Sequence, residues 1–142
     1  MIDLILAAAL AAQAQAPVAS ELGDVRIHLF SNRTGRLSDD ISAPDSQFAG
    51  WNTLFEADDL VIVAELRTTG EQFIERPLRI VVRGPGNRIL GQRRFNTILT
   101  SDAGRAYLPL YLNDVTCAGT IQVTVTHGAQ TRTESLTLMC GE

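Results

Sequence analysis

Lysine is absent from this chain of 142 residues, which holds only two histidines, two cysteines and one tryptophan. No HxH, HExxH or Cys/His spacing occurs, which excludes the usual transition-metal centres. The D-x-D-x-D-G order of a calcium loop is missing too. The acidic positions Asp39, Asp40, Asp45, Glu56, Asp58 and Asp59 are therefore read as solvated, turn-forming carboxylates, with a Ca²⁺-holding loop as the lesser alternative. No metal or cofactor is expected. There is no G-x-S-x-G elbow, and no cysteine is left over if the two pair, so the chain reads as a non-enzyme. A small hydrolase built on two meeting carboxylates is the least favoured alternative. His28 and His127 are both read as solvent-facing, the second beside a turn.

An excess of positive charge is also missing. The net charge is −4 and the pI near 5.1, which removes the simplest reason to suspect nucleic acid or an anionic membrane surface. The charge is unevenly spread. Residues 17–65 carry nine acidic and three basic side chains, whereas residues 66–106 carry eight arginines against Glu71, Glu75 and Asp102. Arginine as the sole cation, beside many alanines, fits a GC-rich coding sequence.

What is present begins with an apolar run. Residues 1–16, MIDLILAAALAAQAQA, end in the A-x-A step Ala14-Gln15-Ala16 and read as a cleaved signal helix, although no basic n-region precedes them. A helix of that length spans about 24 Å, short of the roughly 30 Å hydrocarbon layer, so no stable membrane insertion is expected after cleavage. No cysteine follows the cleavage site, which disfavours a lipoprotein. The expected mature body is one domain over residues 17–142, periplasmic or secreted.

Period-two alternation dominates that body. Strands are expected over residues 24–30, 60–67, 78–83, 88–95, 105–112, 120–127 and 130–140. The near-continuous apolar run LVIVAELR marks a central strand. Gly91 and the Arg93-Arg94 pair place residues 88–95 at an edge, and Pro109, lacking an N–H, suggests an edge or a bulge. Turn signals recur at Gly84-Pro85-Gly86-Asn87, Asp102-Ala103-Gly104 and Gly128-Ala129. No amphipathic helix of convincing length appears. The pattern predicts an all-β, antiparallel two-sheet sandwich of about seven strands. Residues 31–59 form either a long binding loop or a loop hiding a short strand near residues 48–55.

The two cysteines lie almost symmetrically about Gly128-Ala129. If His127 faces Gln130, continuing the register brings Cys117 opposite Cys140 and puts Ile121, Val123, Val125, Leu136 and Leu138 on one face. A cross-strand disulfide is then plausible, and it requires an oxidising compartment. Cys117 would occupy a wide, hydrogen-bonded site, so a bulge near residues 117–119 is expected.

The segments RPLRIVVRGPGNRIL, TSDAGRAYLPLYL and AGTIQVTV resemble the bacterial immunoglobulin-like modules of the invasin and intimin type and the sandwich domains of macroglobulin-like proteins. The resemblance rests on Gly84 and Gly86 in a turn, on Thr100, Gly104 and Ala106 at a strand opening, and on Gly119 before the next strand. It covers about half of the expected mature body. The chain departs from the pattern in its single module and its acidic segment, and it is also similar to short exported proteins of proteobacteria. The resemblance implies an immunoglobulin-like β-sandwich with a structural or adhesive role and no catalytic residues.

Function is therefore expected in binding. The foremost partner is an envelope or extracellular protein met through residues 31–59, with Asp39, Asp40 and Trp51 as candidate contacts; Trp51 reads either as a plug tying the loop to the core or as an exposed anchor. Arg79 and Arg83 share a face, and Arg88, Arg93 or Arg94 could join them from the neighbouring strand to meet an anionic group, although the acidic loop is the nearest counter-charge expected. The alternative is a chaperone or inhibitor that pairs the edge strand at residues 88–95 with a client.

Overall fold

Apolar side chains at every second position force extended chain to bury one face, and all seven expected strands form. The computed structural model describes residues 16–42, 57–115 and 117–138. Its strands are β1 (Glu21–Phe30), β2 (Asp59–Arg67), β3 (Phe73–Ile74), β4 (Leu78–Arg83), β5 (Ile89–Phe95), β6 (Ile98–Leu99), β7 (Arg105–Leu112), β8 (Gly119–His127) and β9 (Gln130–Leu138). One antiparallel sheet has the order β1-β2-β7, the other β5-β4-β8-β9, and β3 pairs with β6 as a small separate ladder. Pattern reading missed β3 and β6 because two residues are too few to show a period.

The edge and centre assignments hold. β2 is central in its sheet, whereas β5 and β7, which carry Gly91 and Pro109, are both edges. Gly91 is required by a close approach: a Cβ there would collide with Leu112 of β7 in the opposite sheet. β1 starts three residues earlier than its clean alternation, because the register slips between Leu22 and Val25, a bulge that keeps both side chains buried.

The core lies between the two sheets. Ile27, Leu29, Leu60, Ile62 and Leu66 meet Leu78, Ile80, Val82, Ile121, Val123 and Val125, all essentially without exposure. The turn at Gly128-Ala129 closes the β8–β9 hairpin in the expected register, from His127↔Gln130 to Gly119↔Leu138. Just before β8 the chain leaves extended conformation, with Cys117 at φ 62° and Gly119 at φ 75°, the irregularity expected there. Among the described residues no cysteine is free; Cys140 lies outside them.

Candidate functional site

The outer face of the β1-β2-β7 sheet collects the two exposed tyrosines, while exposed Phe73 lies apart on β3. On β7, Tyr107, Pro109 and Tyr111 point out while Ala106, Leu108, Leu110 and Leu112 point in. The register sets Tyr111 beside Val61, Pro109 beside Val63 and Tyr107 beside Glu65, with His28 and Arg26 flanking Val61 and Val63 from β1. Tyr107 is 51% exposed and Tyr111 49%. Both rings are nonetheless fixed. The Arg26 guanidinium lies 5.6 Å from the centre of the Tyr107 ring. Tyr111 meets Phe30 edge to face at 6.0 Å, and its hydroxyl donates to the Asp59 carboxylate. That bond to Asp59, with burial adding to it, raises the phenol pKa and keeps Tyr111 a neutral donor. Asp59 also accepts the Asp114 amide at 2.9 Å.

Glu65 anchors the far end of this face. It points outward yet is buried, because Arg67 at 2.7 Å, Arg105 and the Asp24 amide at 3.3 Å all close on its carboxylate. The hydrogen bond from Arg67 dominates, and with the Asp24 amide and Arg105 it overcomes burial and lowers the carboxyl pKa to about 2. The bulge at Gly23 makes the room, since a Cβ at Gly23 would strike Glu65 Oε2 and sit 2.9 Å from Arg67 Nε. The run LVIVAELR had shown Glu65 only as an interruption; a carboxylate at an outward position of a central strand is the signal for a buried ion pair.

The acidic segment behaves differently from a free loop over its described part. Residues 38–42 run along the outer edge of β1. Ser38 N donates to Leu29 O at 2.9 Å and Ile41 N to Ile27 O at 2.8 Å, while the Ser38 hydroxyl accepts Leu29 N at 2.8 Å. Asp40 Oδ1 accepts the Ile27 amide, the Ser42 amide and the Ser42 hydroxyl, at 3.0, 3.0 and 2.7 Å. Burial, the largest influence, would raise the Asp40 pKa, but the Ser42 and Ile27 donors and nearby His28 outweigh it and leave it lowered. Asp40 is thus a pin that caps the edge of β1, with that oxygen committed internally, whereas its neighbour Asp39 is exposed. Trp51, Asp45 and Glu56 lie outside the described residues, as does the suggested strand near residues 48–55.

The arginines divide between the two sheets. Arg79 and Arg83 share the outer face of β4 as expected, and only Arg94 joins them by register, directly opposite Arg79. Arg93 turns to the other side, 4.5 Å over the Phe95 ring, and donates to Pro109 O at 3.0 Å. Among the described residues Arg79, Arg83 and Arg94 have no carboxylate partner, Arg79 donating to Gln92 at 2.5 Å and Arg94 to Asn96 at 2.8 Å, while residues 43–56 of the acidic loop lie outside those described.

The histidines need one correction. His28 is half-buried and bonds Ser38 O at 2.9 Å. His127 is not solvent-facing but fully buried, since the chain before β1 folds over the hairpin end. Its Nδ1 donates to Pro77 O at 3.1 Å and its Nε2 accepts the Ser20 hydroxyl at 2.6 Å, which fixes the neutral tautomer. Burial, with nearby Arg76, lowers its pKa against the opposing Pro77 bond. Among the described residues no group of three or more His, Cys, Asp or Glu is placed to hold a metal ion, and no helix is long and apolar enough to cross a membrane.

Two antiparallel sheets of three and four strands, packed face to face over one core, define an immunoglobulin-like β-sandwich. No protein-family profile matches the sequence, and no curated protein matches it. Among solved structures the chain is similar to an immunoglobulin-like protein from Pseudomonas aeruginosa, at 11% identity over 87% of this chain and 98% of that one, with a TM-score of 0.46. It is also similar to a β-glucosidase from Erythrobacter marinus, at 12% identity and a TM-score of 0.48, covering 86% of this chain and 16% of that one. A β-glucosidase from Thermotoga neapolitana, at 9% identity and a TM-score of 0.46, is covered to the same 16%. The chain thus spans about a sixth of these glucosidases, and at such scores the fold rests on the strand order and register above.

Proposed function

We propose that this chain is an exported, non-catalytic immunoglobulin-like binding domain, with residues 1–16 as a removable export signal and a protein of the envelope or extracellular space as its partner. The contact surface is the loop over residues 31–59 together with the tyrosine face that adjoins it, since Phe30 leads into that loop and Asp59, which holds Tyr111, leads out of it. One observation carries this reading: Tyr107 and Tyr111 are half-exposed yet immobilised on a rigid sheet. Rigid aromatic surface with a polar tip contributes contact area at low entropic cost, which is why tyrosine is enriched at protein interfaces. A bridge between Cys117 and Cys140 fits an oxidising compartment, and it is supported by the hairpin register, which continued past Gly119↔Leu138 sets the two opposite each other, and by no cysteine being free among the described residues.

The test is crosslinking in the native envelope followed by capture with purified chain. Tyr107→Ser should weaken capture of the partner by about thirtyfold, the scale of an interface hot spot of about 2 kcal/mol, with thermal stability retained. Replacing residues 43–56 by a Gly/Ser linker of equal length should weaken it further. Capture unchanged in both variants refutes the reading.

The position of β5 at the end of its sheet favours a second reading, pairing of that edge with a client strand. Capture that survives both variants and is abolished by proline at alternate positions of residues 89–95 would decide for it.

A further inference from the structure

The outer face of the β5-β4-β8-β9 sheet has a composition that the protein-binding surface does not explain. Its outward positions are Ile89, Gln92 and Arg94 on β5, Arg79, Val81 and Arg83 on β4, Gln122, Thr124 and Thr126 on β8, and Thr131, Thr133 and Ser135 on β9. Among the described residues no carboxylate occupies an outward position of these four strands. Thr120 and Thr137 continue the hydroxyl ladder, with their oxygens 3.0 Å apart. Val81 at the centre is only 6% exposed, and Ile89, opposite Arg83 at the edge, is the one well-exposed apolar side chain among these positions, so the rest of the face is polar.

Two features of this face select an anion. Arg79 and Arg94 are direct cross-strand neighbours, an arrangement of like charges that costs stability and that no carboxylate among the described residues neutralises. Arg79 and Arg83, four residues apart, are separated by about 13 Å along the strand, so the cations form a row and not a single pocket. A row of guanidinium groups fits anionic groups repeated along an extended ligand. Beside that row, two strands present hydroxyls that both donate and accept hydrogen bonds.

The same features select among polyanions. A protein partner calls for aromatic anchors, which this face lacks. A single-stranded nucleic acid calls for stacking surfaces, which are also missing. Carboxylates or sulfates repeating along a chain of hydroxyl-bearing sugars match both halves of the face at once. We infer that the outer face of the four-stranded sheet binds a linear acidic polysaccharide, with Arg79, Arg83 and Arg94 on its anionic groups and the β8–β9 threonines on its hydroxyls.

Binding of the whole chain to polygalacturonate, dextran sulfate and uncharged dextran tests this. Affinity is expected for one or both charged chains and not for dextran, and it should fall steeply as salt rises from about 50 to 200 mM, by release of counterions. The first two probes separate carboxylate from sulfate preference. The triple variant Arg79→Gln/Arg83→Gln/Arg94→Gln should lose at least tenfold in affinity, whereas Arg132→Gln, on the other face of β9 where its guanidinium donates to Leu22 O, should lose nothing. Thr124→Val/Thr133→Val should lose about threefold at unchanged charge. Arg94→Gln alone gives a readout that misfolding would not produce, since it removes the like-charge pair: its Tm should rise while its affinity falls. No affinity for either charged chain at low salt, equal affinity in the triple variant, or binding only to phosphatidylglycerol vesicles or acidic peptides would overturn the assignment.

Discussion

At the scale of single residues, Glu65 shows how an outward-facing charge becomes structural. Its carboxylate is buried, so its stability depends on both arginines and on the bulge that lets Gly23 approach. Glu65→Ala leaves Arg67 and Arg105 facing each other without their shared anion and is expected to destabilise by about 3 kcal/mol, read from the midpoint of urea unfolding; the figure sits at the low end for a broken buried pair because both arginines are partly exposed. The pH dependence has two limbs. The Glu65 pKa falls from 4.5 to about 2 on folding, so its contribution is complete above pH 4.5 and is lost as pH falls through about 2. His127 acts in the same direction at higher pH. Its pKa is lowered from 6.5, so folding favours the neutral ring, and stability should begin to decline as pH drops below 6.5. Thermal melts between pH 7 and 5 check this limb, whose slope should shrink in His127→Gln whatever the overall stability of that variant.

At the scale of elements, the described part of the acidic segment acts as an edge cover. A strand edge left open is a template for pairing with another chain, and residues 38–42 occupy that of β1 with two backbone and several side-chain hydrogen bonds. Asp40→Ala removes the acceptor of one of them, from Ile27, and of two more within the segment, from Ser42, and should cost about 2 kcal/mol. Hydrogen exchange should accelerate at Ile27 and Ser42 and leave the β8–β9 hairpin unchanged; uniform acceleration or none would contradict this role. The long strands were legible in the sequence because period two survives wherever one face is buried, and the hairpin register followed from the turn residues alone. The edge cover was not legible, since Ser38, Asp40 and Ser42 substitute side-chain oxygens for a ladder and leave no period. His127 was misread for a related reason: alternation placed it correctly on the inward face with Val125, but its nearness to a turn suggested solvent, and only the crossing of Ser20 over the hairpin end buries it. Tyr107 and Tyr111 were visible as outward positions. Their pinning by Arg26, Phe30 and Asp59 depends on pairings between strands distant in the chain.

At the scale of the molecule, among the described residues, the acidic and basic halves of the chain neutralise each other on one sheet and not on the other. Arg67 and Arg105 meet Glu65 and Asp24 on the three-stranded sheet. Arg79 and Arg94 lie on β4 and β5, at the far end of the other sheet from β9, while the described acidic segment runs along β1. The net charge of −4 therefore conceals a local cationic face. Salt acts on these two arrangements unequally, because a Debye length near 8 Å at 0.15 M screens exposed like charges well and a buried pair poorly. Raising ionic strength from about 0.01 to 0.15 M should relieve the Arg79–Arg94 repulsion while leaving Glu65 nearly untouched, so the wild-type chain is expected to gain a few tenths of a kcal/mol, within the range for cross-strand pairs. Urea unfolding at the two salt concentrations measures it. The gain should vanish in Arg94→Gln, and a gain of equal size in that variant would show that the repulsion lies elsewhere.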